Sequence, residues 1–218
     1  FEGYPTPRAL TIDEIKELTI SFTQAAIRAV KVGFDIIEIH AAHGYLFHQF
    51  YSPLMNERTD EYGGSYENRI RFLIETTKAV RSAIPTTTPL FVRISATDWA
   101  EGGWDINDSV ELCKELKSLG VDLIDVSSGG AIHNAKIDAK PNFQVPFADA
   151  IRNQADILTA AVGLITEAEQ AEAIITSNQA DAVFLARAML RNPRWALNAA
   201  EKLGVKITWP LSLDRGRA

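Results

Sequence analysis

Apolar residues along this chain alternate between two periods. Ile12, Ile15, Leu18, Phe22, Ala25 and Ala26 recur at helical spacing behind Thr11, with Glu14 three residues after it as in a capping box, so a helix is expected from Thr11 to about Val32, closed by Gly33. A short apolar run, Asp35 to Ile39, follows as a strand and empties into a long polar loop. Helical spacing resumes from about Tyr66 to Ile84, through Ile70, Leu73, Ile74, Thr77 and Val80. Strand-like runs are then expected at Leu90–Ser95, Val121–Val126, Ile157–Val162 and Ala182–Leu185. Helices are expected between them, near Ile106–Leu119, Phe147–Gln154 and Thr166–Ser177, with a further one near Arg194–Leu203.

Strand, loop and helix therefore alternate, and the strands are nearly continuous in apolar character, which predicts a parallel sheet covered by helices. Each of the five strands ends in small, hydroxyl or charged residues: His40, Ser95, Ser127, Gly163 and Arg187. An open doubly wound sheet gathers function at one crevice, whereas a (β/α)8 barrel does so at the carboxyl end of every strand. The expected fold is α/β, a (β/α)8 TIM barrel of which this chain, 1–218 as one partial domain, covers about the last five strands. The chain opens on Phe1, and Phe1 to Arg8, with Pro5 and Pro7, reads as irregular; it is expected to be a piece of something longer, with three strands upstream.

Composition narrows the function classes. With 46% hydrophobic and 23% charged residues the chain is that of a globular protein, and a formal charge of -6 supplies no basic field for a nucleic-acid backbone. Cys113 sits among helix formers and has no second cysteine to pair with, as in a reducing compartment. No apolar run approaches the roughly 18 residues of a membrane span. The expectation is a cytoplasmic protein with neither nucleic-acid nor membrane partners.

The candidate chemistry lies after the first strand. His40 and His43 could form a metal pair, a general acid–base pair, or two neutral donors gripping an oxyanion, or could be satisfied structural histidines. The candidates for a third metal ligand, His48 and Glu38, are poorly placed, Glu38 alternating with Ile37 and Ile39 inside the strand, and no metal is expected. Tyr45 is a candidate general acid, its other reading being an amphipathic wall residue. Arg93 lies inside an apolar strand, where a guanidinium needs a partner, either a barrel carboxylate such as Glu38 or an anionic ligand. Gly163, Ala186 and Arg187 end the last two strands, where barrels often bind phosphate, and this suggests a phosphorylated cofactor.

The stretch HAAHGYLFHQFYSPLMNERTDEYGGSYENR, His40 to Arg69, resembles the motif of the Old Yellow Enzyme family of flavin-dependent ene-reductases, and the likeness runs from about Pro5 to Arg215. The resemblance implies an eight-stranded barrel that binds FMN and uses NADPH or NADH to reduce activated C=C bonds of enones, enals or nitro compounds. It implies that His40 and His43 bind the substrate's carbonyl or nitro oxygen, that Tyr45 donates the proton, and that Arg93 sits at the flavin pyrimidine edge. Gly163, Ala186 and Arg187 would hold the phosphate, although Ala186 stands where the family often has glycine. The His/His pair and the terminal LDRG look like the bacterial, thermophilic-like branch, in which Arg215 would reach the substrate site of a neighbouring subunit in a homo-oligomer. Two alternatives are a multidomain relative such as a dienoyl-CoA reductase or amine dehydrogenase, and a partial-barrel binding chain that needs a complementary piece.

Overall fold

The computed structural model describes residues 7–216, so most of the irregular opening expected for Phe1–Arg8 lies outside the described residues. The first helix, α1 (Ile12–Lys31), begins at the Thr11 capping box and ends at Val32, after which Gly33 turns with φ 94. β1 (Ile37–Ala41) is followed by α2 (Leu46–Tyr51) and α3 (Tyr66–Ala83), the latter capped by the Ser65 side chain. Next come β2 (Leu90–Ser95), α4 (Ile106–Ser118), β3 (Leu123–Ser127) and α5 (Val145–Ala155). β4 (Leu158–Val162), α6 (Ala168–Thr176), β5 (Ala182–Phe184), α7 (Arg187–Arg191) and α8 (Trp195–Lys202) complete the chain, with a single 3-10 turn at Asp214–Gly216.

The five strands form one sheet in the order β1-β2-β3-β4-β5, every pair parallel. Strand order never reverses, so the sheet lacks the switch point of a doubly wound fold and has the sequential order of a (β/α)8 barrel segment. One face packs on helices: Ile37, Ile39, Leu90, Val92, Ile94, Ile124 and Val126 are buried in a contiguous cluster with Ile15, Phe72, Leu73, Leu112 and Leu116. The other face carries Glu38, His40, Arg93 and Asp125. Among the described residues, no helix is long and apolar enough to cross a membrane.

Three sequence expectations are corrected. β1 is displaced two residues toward the C-terminus, so His40 lies inside the strand rather than beyond it, because the ladder continues through His40 opposite Arg93. The expected long loop contains α2, whose Phe47, His48, Phe50 and Tyr51 are all buried. Six residues with almost every side chain inward show no amphipathic period, and no side-chain cap announces the start. What holds α2 is tertiary: Phe47 lies 4.9 Å from the Phe22 ring and 4.8 Å from that of Phe72, and Tyr51 lies 4.5 Å from Trp104. The segment after β5 likewise forms α7, beginning at Arg187.

Tyr51 also joins the sheet to this aromatic layer. Its buried hydroxyl donates to Ala41 O (2.8 Å) at the end of β1 and accepts from Ser95 N (3.0 Å) at the end of β2. Tyr51→Phe strips a partner from two buried backbone groups and is expected to cost about 1–3 kcal/mol. Urea unfolding of the full-length protein measures it, and an unchanged midpoint would show that the hydroxyl does not tie the strand ends together.

Candidate active site

The site grows from the carboxyl end of β1. Strand alternation points Glu38 and His40 away from the helices, while Ile37, Ile39 and Ala41 are buried. The chain then turns through two consecutive left-handed residues, His43 (φ 60) and Gly44 (φ 74). Glycine is required at 44, since a Cβ there would stand 2.2 Å from Gly130 O. The turn folds the segment back, so that the His40 and His43 rings lie 5.2 Å apart and the Tyr45 ring lies 5.6 Å from His40. Tyr45 is 63% exposed, His40 is exposed and His43 is half-buried, which leaves all three open to a ligand.

Neighbouring strands complete the electrostatics. Register places His40 beside Arg93, and Arg93 beside Asp125. The Arg93 Nε atom is 3.0 Å from Asp125 Oδ2, so the sequence's candidate partner, Glu38, is replaced by Asp125. The N–H is not aimed at that oxygen, and Arg93 Nε and both Asp125 carboxylate oxygens remain buried without a hydrogen bond. Burial pushes the Asp125 carboxyl up to about 7 against the attraction of Arg93, with Glu38 adding to the rise. Burial first, and then the Arg93 charge, lower both His40 and His43, and together with His40 and His48 they bring His43 down to about 4. Both rings are therefore neutral at pH 7, which fits donors to an oxygen better than acids. Among the described residues, no group of three or more His, Cys, Asp or Glu side chains could hold a metal.

A second line of polar groups, missed in the sequence, connects the strand ends. Ser127 Oγ stands 2.7 Å from His43 Nε2 and 3.4 Å from Gln144 Oε1. Gln144 also accepts from Ser128 Oγ (2.6 Å) and donates to Val162 O (2.7 Å), just before Gly163. Gly163 has φ 111, and a Cβ there would meet Gln144 Nε2 at 2.5 Å. Ser95 Oγ accepts from His43 N (2.9 Å) and donates to Gly129 O (2.7 Å). The available signal was the hydroxyl residue ending β2 and β3; Gln144, seventeen positions beyond Ser127, carried none.

The remaining candidates divide. Gly163 directly follows β4, and Ala186 and Arg187 open α7 just after β5, so adjacent strands bring them to one edge. An arginine and two small residues that let a ligand approach the backbone there are residue types suited to an anionic, phosphorylated group. Arg215 stands in the exposed turn near the C-terminus, and among the described residues no hydrogen bond or ion pair joins it to the others.

Comparison with known proteins identifies the family of the chain. A family profile described as the NADH:flavin oxidoreductase / NADH oxidase family matches residues 2–205. A protein named NADPH dehydrogenase from Bacillus velezensis is 54% identical over 98% of this chain, and one of the same name from Bacillus subtilis is 50% identical over 99%. The chain spans 62% and 63% of the length of those two relatives. Among solved structures, a 2-naphthoyl-CoA reductase complex matches 94% of this chain at 28% identity with a TM-score of 0.84, over 32% of its own length. A morphinone reductase variant with tetrahydroNAD matches 90% at 32% identity with a TM-score of 0.72, over 52% of its length.

The buried charges predict a pH dependence. Asp125 holds its proton longer in the fold than in the unfolded chain, so its contribution to stability is present near pH 4 and is lost as pH rises toward about 7. His43 has the opposite sign: it resists protonation when folded, so its contribution is complete above about 6.5 and is lost as pH falls toward about 4. The stability of wild type relative to Asp125→Asn is therefore expected to fall steadily as pH rises from about 4 to about 7. Urea midpoints of the two proteins across that range test it, and a constant difference would mean that Asp125 titrates normally.

Proposed function

Because the chain belongs to the NADH:flavin oxidoreductase / NADH oxidase family, we propose that the full-length protein is an FMN-dependent NAD(P)H oxidoreductase that reduces activated C=C bonds of enones, enals or nitro compounds. The observation that carries this reading is the convergence of two neutral imidazoles and an exposed phenol at one strand end, beside the Arg93 guanidinium. FMN fits the donor set: Arg93 would meet its anionic pyrimidine edge, and Gly163, Ala186 and Arg187 its phosphate. When bound, FMN supplies a hydride that it has received from NADPH or NADH.

The chain's own residues supply the rest. His40 and His43 hold the carbonyl or nitro oxygen through ring N–H groups, and they stabilise the charge that grows there as the C=C bond is reduced. Tyr45 delivers its hydroxyl proton to the adjacent carbon, so one hydride and one proton saturate the bond. Its exposure supports this role, because a proton donor must face the substrate and be re-supplied from water. The name NADPH dehydrogenase, shared by relatives near half identity, favours this reading over a multidomain reductase or amine dehydrogenase. Arg215, free of the site in its own chain, would reach the site of a second copy, and a cytoplasmic location accords with the reductant.

By itself the present chain is expected to be a fragment whose site is incomplete. β1 and β5 are the sheet's edges, and Phe34 and Ile36 are exposed just before the β1 edge. Incubated with FMN and desalted, it should keep no flavin absorption, while the full-length protein should. Retained flavin bands would show that five strands suffice.

In the full-length protein, replacing both His40 and His43 with alanine should abolish binding of a small phenol, read by perturbation of the flavin absorption, while the flavin stays bound. Unchanged affinity would remove the oxyanion clamp. Tyr45→Phe should slow re-oxidation by an enone about 100-fold and leave reduction by NADPH much less affected. Stopped-flow traces of the two half-reactions decide it, and equal slowing of both would exclude Tyr45 as proton donor.

A further inference from the structure

The turn that carries His43 is costly. A non-glycine residue at φ 60 is disfavoured by about 1–2 kcal/mol, and the following Gly44 is left-handed as well, so the turn persists only where its surroundings fix it. Three side chains do so. Ser95 Oγ accepts from His43 N, Gln49 Nε2 donates to Gly44 O (2.7 Å), and His48 Nδ1 accepts from Gly44 N (2.9 Å).

The last contact is built differently from the others. His48 and Asp98 are both fully buried, and His48 Nε2 lies 2.7 Å from Asp98 Oδ1. Since Nδ1 accepts from the Gly44 amide, it carries a lone pair, and the ring proton is on Nε2, directed at Asp98. With the other tautomer two N–H groups would point at each other. Asp98 is held in turn, its Oδ2 accepting from Ser52 Oγ (2.7 Å) and Trp104 N (2.9 Å). Burial works to raise its carboxyl, but these bonds and the one from His48 outweigh it and hold it below the usual range. The Tyr51 ring stacks on His48 at 4.7 Å. A buried imidazole–carboxylate pair is weak evidence of stability, and this one is aimed, through one amide, at the backbone beside the site.

We infer that His48 and Asp98 form a positioning pair: Asp98 fixes the His48 tautomer, His48 fixes the Gly44 amide, and the left-handed turn so held sets where the His43 ring and Tyr45 stand. This rests on the proposed roles of His43 and Tyr45. Neither His48 nor Asp98 touches substrate.

Two variants of the full-length, FMN-loaded protein separate the links. In His48→Asn the amide oxygen can stand where Nδ1 stood and keep the Gly44 bond, while the reach to Asp98 is lost. His48→Gln keeps a donor for Asp98 and places a methylene where the acceptor was. At equal flavin content, phenol affinity should fall less than about threefold in His48→Asn and about tenfold in His48→Gln, the size of one lost hydrogen bond. Hydrogen exchange at the Gly44 amide should quicken only in His48→Gln. Equal losses in both variants, or normal phenol binding and a protected Gly44 amide in His48→Gln, would overturn the inference. His43→Ala in the same assay checks the clamp separately: if it leaves phenol affinity unchanged, the clamp fails, and Gly44 exchange still decides the positioning role. Nitrogen NMR of the wild-type His48 ring needs no variant, and a proton on Nδ1 would overturn the inference outright.

Discussion

The parallel register of β1, β2 and β3, which sets His40 beside Arg93 and Arg93 beside Asp125, is the constraint on which the rest of the structure depends. In a parallel sheet the side-chain period is two, so a slip of one residue in any strand would turn its apolar set outward and its charges into the helices. The burial of Ile37, Ile39, Leu90, Val92 and Ile94 against helices prevents that slip. The hydrophobic core thus indirectly holds Glu38, His40, Arg93 and Asp125 on the opposite face. The charges do not stabilise the sheet there: Arg93 and Asp125 meet at ion-pair distance with poor alignment, and burial raises the carboxyl. Such a pair is better placed to meet a ligand than to hold the fold.

Above the sheet, hydroxyls and amides bring the strand ends together. Tyr51 ties β1 to β2, Ser95 ties the His43 turn to the Gly129 loop, and Gln144 ties β3 to β4. Each is a polar side chain that meets at least one backbone group near a strand end, where the ladder stops. In meeting it they also fix where His43 and Gly163 stand. The helix between Tyr45 and Ser52 serves both purposes, burying Phe47, Phe50 and Tyr51 while directing His48 back toward the turn.

The two ends of the site also differ in kind. At β1 the two imidazoles are neutral at pH 7 and suit an oxygen that gains charge during reaction. At β4 and β5 a glycine, an alanine and an arginine suit a charge that is permanent. A group that is anionic at one end and reactive at the other would span them, as the proposed FMN would.

Much of this was determined by sequence alone. The period of apolar residues located the five strands, although the ends of four of them moved by one or two residues, and the Thr11 capping box placed the first helix start, because these are local effects of side-chain spacing and backbone valence. The His40, His43 and Tyr45 cluster was legible for the same reason, all three lying within six residues. Only the tertiary structure decided that Arg93 faces Asp125 rather than Glu38, that His43 meets Ser127, that Gln144 reaches Val162, and that α2 forms at all. Those contacts join residues from separate βα units. Their partners are chosen by sheet register and by which helix covers which strand, and no local period in one segment records what the next one will bring beside it.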